Sequence, residues 1–257
     1  MKHRRAFLAV LGVVLAFSAA LFAQENKKQS DAQKKEIQNV VKVVDAIAAG
    51  QPAPNDLSLE WVHTDMLKAQ GNKEYVPFTV AIDPAKVSGT VAIYWRVVAK
   101  GGSAEPAVAA KKEDKDKDKD KDKNTKKTDY AYEDISFVPV TGQAPLRISR
   151  SFTVSAGTYD VFVVAKEPTP EKPPKNAPAP KMSVLKQEVV VPDFWNASEL
   201  NTSTVIVAQR IDPLPAPLTP QQQADRPYAL GSMEIVPAFE TKFPKKGELS
   251  TFMLIYN

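Results

Sequence analysis

The sequence predicts a mainly β protein: an antiparallel β-sandwich with a short N-terminal helix and an incomplete second β unit at the C-terminal end. Three observations carry that expectation. Apolar residues alternate with polar ones in seven short runs between Leu57 and Pro192, the period of half-buried strands. A compact turn, Ala156-Gly157-Thr158-Tyr159-Asp160-Val161, falls between two of those runs. The 257 residues include no Cys, so no disulfide framework substitutes for a hydrophobic core.

The first element is a leader. Lys2, His3, Arg4 and Arg5 precede an apolar run from Ala6 to Phe17, and Ser18, Ala19, Ala20 and Leu21-Phe22-Ala23 follow. This order reads as a secretory signal peptide over residues 1–23, too short in its apolar core for a membrane span, with cleavage expected after Ala23 and Ala20 as second choice. Without Cys, no lipid-modified cysteine can form at the cleavage site, so the mature product is expected in the periplasm or secreted. Lys2, Arg4 and Arg5 account for three of the 34 basic residues and the leader holds no acid, leaving 31 basic against 30 acidic residues. That balance lacks the clustered basic face of a nucleic-acid-binding protein.

Residues 24–54 form a polar segment and an amphipathic helix. Ile37, Val40, Val41, Val44, Ile47 and Ala48 recur at helical spacing, Ser30 or Asp31 suits the cap, and Gly50, Pro52 and Pro54 stop the helix. Its narrow stripe, free of aromatics, fits docking on the sandwich or on a partner.

Residues 55–192 form the sandwich. Leu57, Leu59 and Trp61 open it, followed by Phe78, Val80 and Ile82, then Val91, Ile93, Trp95 and Val97. Tyr130 to Val138, Leu146 to Val154, Tyr159 to Ala165 and Leu185 to Val191 complete seven strands, and Trp61 and Trp95 are expected in the core. Arg150 interrupts an otherwise apolar face, which predicts a bulge or the rim of a sheet. Ala156 to Val161 resembles the tyrosine corner of immunoglobulin-like sandwiches, where a Gly and a Tyr open the sixth strand. Val161 stands where antibody domains place a Cys. The resemblance implies an immunoglobulin-like fold, and a fold of this kind does not name an activity.

Two insertions interrupt the strands. Residues 104–128 include KKEDKDKDKDKDKNTKK, with nine Lys and six acids and no apolar residue; a disordered loop is expected. The tract lacks the Gly and the terminal Glu of a calcium-binding EF-hand loop. Residues 167–181 carry six prolines between Pro168 and Pro180 and read as an extended excursion.

Chemistry finds little support. The mature chain has one histidine, His63, which excludes a zinc site built on two imidazoles from one chain. Asp65 lies on the same strand face as His63, but no Gly-x-Ser-x-Gly turn supplies a nucleophile. Glu60, Glu133 and Asp134 do not single out a carboxylate pair, and Gly101-Gly102 is not a phosphate loop. No catalytic, metal-binding or cofactor-binding residue is assigned, and no cofactor is expected. Phe194 and Trp195, after the last strand in a polar setting, are the candidate contact for a partner or between domains.

Residues 193–230 read as a linker rich in proline, and residues 231–257 as the start of a second, truncated β domain. Glu234 to Pro237 and Leu249 to Tyr256 are expected to pair as a hairpin, the latter strand apolar on both faces and so inside a sheet. Ser203 to Ile211, Glu234-Ile235-Val236-Pro237 and the closing Gly247 to Asn257 resemble the C-terminal part of bacterial secreted proteins of the Gly-Trp-x-Thr-Asp group and related uncharacterised exported proteins. The group's naming motif is absent, since Trp61-Val62-His63-Thr64-Asp65 has different spacing and no Gly. The resemblance implies no catalytic residue. The sequence therefore points to an exported, non-enzymatic structural or protein-interaction module of the bacterial envelope. Its partner would be a protein or another envelope component, with no nucleic acid and no transmembrane segment after signal cleavage. A carbohydrate or surface-adhesion module using Trp195 is the alternative, and a carboxylate-dependent hydrolase a third reading.

Overall fold

A computed structural model describes residues 31–101, 130–141, 145–170, 175–196, 200–240 and 242–256. The expected signal peptide and the Lys/Asp tract lie outside the described residues. The chain divides into two compact units, residues 1–36 and 37–257. Helix α1 (Asp31–Ala48) crosses that boundary, and its first six residues are the described part of the first unit.

The second unit is mainly β and antiparallel, as the alternation predicts. Its strands are β1 (Glu60–Thr64), β2 (Leu67–Lys68), β3 (Glu74–Ile82), β4 (Thr90–Ala99), β5 (Tyr132–Pro139), β6 (Leu146–Val154), β7 (Gly157–Lys166) and β8 (Met182–Val191). One sheet runs β5-β4-β7-β8. In the other, β3 pairs β6 on one edge and β1 and β2 on the opposite edge. This division, with the corner described below, is compatible with an immunoglobulin-like sandwich. Between the sheets, Phe78, Val80, Ile93, Trp95, Phe152 and Val161 form the centre of the core. Trp95 is buried there, whereas Trp61 is half-buried and stacks on Phe78 with ring centroids 5.0 Å apart.

The tyrosine corner is explicit. Tyr159 is buried and its hydroxyl donates to the Ser155 carbonyl at 2.7 Å, tying the start of β7 back to the preceding turn. Gly157 sits at φ +153°, a conformation that side chains strain, with the Tyr159 ring 3.5 Å from where a Cβ would lie.

Strands β4 and β7 read as almost continuous apolar runs because both of their faces are covered. The odd-numbered residues face the sandwich core. Tyr94, Phe162 and Val164, with Val184 of β8, meet Val40 and Val44 of α1 on the outer face. Arg96 shares that outer face with its guanidinium buried. It donates to Asp45 of α1 at 2.6 Å and to the Tyr94 hydroxyl at 2.7 Å, and Tyr94 donates to Glu133 at 2.7 Å. The helix stripe thus docks on the sandwich, and α1 ends where Gly50 adopts φ +98° ahead of the two prolines.

Arg150 decides between a bulge and a rim: β6 pairs only with β3 and is therefore the edge of its sheet. The pairing of β3 with β6 runs without a shift from Glu74↔Val154 to Ile82↔Leu146, so there is no bulge. Arg150 points inward and is buried, donating to Ser136 Oγ at 2.8 Å and to the Ser149 carbonyl at 2.6 Å, with Asp225 3.2 Å away. At this edge Ser136 and Asp225, from other elements, satisfy the charge.

Residues 193–230 are more than a linker. They contain β9 (Asn201–Thr202), β10 (Ile206–Pro213), helix α2 (Pro220–Asp225) and β11 (Ala229–Leu230), followed by β12 (Met233–Pro237), β13 (Ser250–Phe252) and β14 (Ile255–Tyr256). The sheet order is β11-β12-β10-β13, and β14 pairs with β9. The expected hairpin between 234–237 and 249–256 does not form: β12 and β13 lie on opposite edges of β10, with Ala208 pairing both Pro237 and Ser250. Ile206, Ala208, Tyr228 and Ile235 form a small core. The strand near the end is not inside a sheet either. β13 is an edge, and Leu249, Met253, Leu254 and Ile255 are exposed. Contacts described next join this sheet to the sandwich within the same compact unit. Among the described residues no helix is long and apolar enough to cross a membrane.

Candidate functional site

The polar chemistry of the second unit concentrates where the C-terminal sheet meets β1, β2 and β3. A register shift between Trp61 and His63 bends β1 there. Asp65, just past β1, is completely buried. Its carboxylate accepts from the Tyr228 hydroxyl at 2.8 Å and from Thr204 Oγ1 at 2.9 Å, and His63 Nε2 lies 3.1 Å away. Thr204 Oγ1 in turn accepts from the Met66 backbone at 3.0 Å. One carboxylate therefore joins three segments distant in sequence.

The electrostatics follow from that geometry. Burial, then the Asp65 charge, pushes the Tyr228 phenol above its ordinary range. The hydrogen bond to Asp65 raises His63 above the usual imidazole value, against the opposing effect of partial burial. The sequence places His63 and Asp65 on one face, and they are indeed neighbours. Yet the Thr204 and Tyr228 hydroxyls bond to the carboxylate, and among the described residues no hydroxyl is hydrogen-bonded to the imidazole. A nucleophilic relay needs that second bond.

Phe194 and Trp195 belong to the same junction. Phe194 is buried, its backbone N–H donating to Glu74 Oε1 at 3.1 Å and its ring 5.3 Å from Tyr256. Trp195 is half-buried; its indole N–H donates to the Lys73 carbonyl at 3.0 Å and the Lys68 ammonium sits 4.1 Å over the ring. The Tyr256 hydroxyl accepts from the Lys68 backbone at 2.9 Å. These residues wedge the C-terminal strands against β2 and β3. Glu74 is itself buried, its other carboxylate oxygen making no hydrogen bond among the described residues, and burial raises its carboxyl above the ordinary value. Tyr75, donating to the Pro227 carbonyl at 2.9 Å, is pushed by burial to about 12.

Beside the junction lies an open cleft of about 300 Å³, lined by Arg147, Arg150, Asp225, Arg226, Tyr228 and Glu234 among others. Its charges answer one another. Arg226 pairs with Glu234 and lowers that carboxyl below its usual range, while Arg150 holds Asp225. The carboxyls raised by burial, Glu74 and Asp134, do not line it. Glu133 serves Tyr94 and Arg96, and Glu60 is exposed on β1. Among the described residues no three potential metal ligands gather.

Sequence reasoning missed Glu74, Thr204 and Tyr228, which carry no local signature; each acquires its role from a partner more than a hundred residues away. Much of the C-terminal segment stays exposed. Among the described residues the exposed large apolar side chains, Val190 aside, all fall between Leu200 and Ile255. Leu200 and Val205 flank β9, and Met253, Leu254 and Ile255 lie at or just before its partner β14. No protein-family model, no curated protein and no solved structure matches the chain.

Proposed function

We propose that the mature chain is an exported, non-enzymatic structural or interaction module of the bacterial envelope, and that it engages its partner through the C-terminal segments around β9, β13 and β14. The observation that carries this reading is the exposed apolar surface there: Leu249 is 59 % and Ile255 62 % exposed, and Val205, Met253 and Leu254 in the same segments are exposed too. Apolar side chains left together at a surface mark contact sites. The internal use of the polar groups supports the same reading, because Asp65, Arg150, Arg96 and Glu234 are all engaged in holding elements together. The basic-then-apolar start of the chain and the tail resembling exported bacterial proteins support the location.

The test is site-specific photo-crosslinking from positions 249 and 255 in envelope preparations of a bacterium expressing the full chain. Adducts from these positions, absent from a probe at Lys42 on α1, are expected. N-terminal sequencing of the exported product should begin at Gln24. Equal labelling from all three positions, or an intact Met1 in the exported fraction, would count against the reading.

A further inference from the structure

The segment leading into β13 carries charge as well as apolar surface. β12 and β13 are both held against Ala208 of β10; between them Phe239 and Glu240 pack toward His63 and Arg147, and residues 242–249 are exposed. Near its end the chain turns, the Gly247 N–H donating to the Pro244 carbonyl at 2.9 Å, which puts Lys245 and Lys246 at the corner of the turn. Lys242 and Phe243 precede the turn, and Phe243 is 45 % exposed. All three lysines are exposed and none forms an ion pair among the described residues. Over residues 242–256 they face a single acid, Glu248. The same stretch then supplies Leu249, Met253 and Ile255 to the exposed surface.

We infer that this loop docks the protein on an anionic lipid surface. The inference rests on the interaction surface proposed above and names its partner. An exposed turn with an aromatic ring between ammonium groups suits a bilayer interface: Phe243 and Leu249 enter the headgroup region, and the lysine stems lie along it with their charged heads on lipid phosphates. Over residues 242–249 three lysines face only Glu248, and Glu240 just upstream lies 3.9 Å from Arg147, so the turn is net positive, the complement of an acidic membrane. The concave cleft, where a folded ligand would seat, is lined by other residues and its charges are already paired.

The experiment is co-sedimentation of the purified mature protein with vesicles of phosphatidylcholine alone or mixed with phosphatidylglycerol. The native protein should prefer the anionic vesicles and lose that preference as salt rises. The variant Lys242→Gln, Lys245→Gln, Lys246→Gln should bind them on the order of 100-fold more weakly, from about 0.7 logarithmic unit per lysine. Phe243→Ser should weaken binding by about tenfold, and Lys42→Gln with Lys175→Gln should change little. Melting curves confirm that each variant folds. Sedimentation that ignores phosphatidylglycerol, or that survives loss of the three lysines, overturns the inference. Retention on immobilised poly-glutamate without vesicle binding would also overturn it, in favour of an acidic protein partner. Crosslinking from positions 249 and 255 to protein, with no vesicle binding, leaves the interaction reading standing and sinks this one alone.

Discussion

Replacing Asp65 with alanine should loosen the C-terminal sheet from the sandwich. The side chain is fully buried and accepts from Tyr228 at 2.8 Å and from Thr204 at 2.9 Å. Asp65→Ala leaves both hydroxyls without that acceptor, at roughly 1–3 kcal/mol for each buried donor left unsatisfied. Thr204 is only half-buried and its loss sits at the low end, so together the cost is about 2–4 kcal/mol. The contact with half-exposed His63 adds little, since an exposed imidazole is well screened. For a domain of this size each kcal/mol lowers Tm by about 2–4 °C, so a drop of about 4–16 °C is expected, read by circular dichroism. Asp65→Asn, which keeps one acceptor oxygen, should lose about half as much. The decisive control is coupling: Tyr228→Phe should cost about 1 kcal/mol in the native protein and close to nothing in the Asp65→Ala background. An Asp65→Ala protein that melts within about 2 °C of the native one, or additive losses in the double variant, would refute the assignment of Asp65 as the joint.

Three further outcomes are expected. Because Asp65 raises the folded-state value of His63 above about 6.5, the His63 contribution is fully present below that unfolded value and is lost as pH rises through the folded one. Tm should therefore fall by about 1–3 °C from pH 6 to 8 on this account, a slope His63→Gln should flatten. Tyr159→Phe removes the bond to the Ser155 carbonyl at 2.7 Å and should cost about 1 kcal/mol, measured by urea denaturation, with the fold retained. Replacing residues 102–129 with a short Gly/Ser turn should leave Tm equal or higher, because β4 and β5 already meet at Val97↔Tyr132 and shortening the connection recovers up to about 2 kcal/mol of closure entropy; a loss of several degrees would assign the tract a packing role.

What the sequence determined by itself was local. Alternation located the sandwich strands and their inward faces, because a side-chain period of two is dictated by strand geometry within a few residues. The tyrosine corner was legible for the same reason, its donor and acceptor lying four residues apart. The apolar stripe of α1 was legible too, though not its seat against Tyr94 and Phe162. Tertiary structure decided the partners. Period two shows that 234–237 and 250–252 are strands but not that both pair with β10 instead of each other, since pairing depends on which edge is free when the chain collapses. Arg150 looked like an interruption because the groups that satisfy it, Ser136 and Asp225, come from β5 and α2. The junction was out of reach for the same reason. Asp65 lies 139 residues from Thr204 and 163 from Tyr228, and a buried carboxylate becomes a joint only when distant hydroxyls are delivered to it. The exposure of Leu249 and Ile255 was decided likewise, by β13 ending up as an edge with no strand beyond it among the described residues.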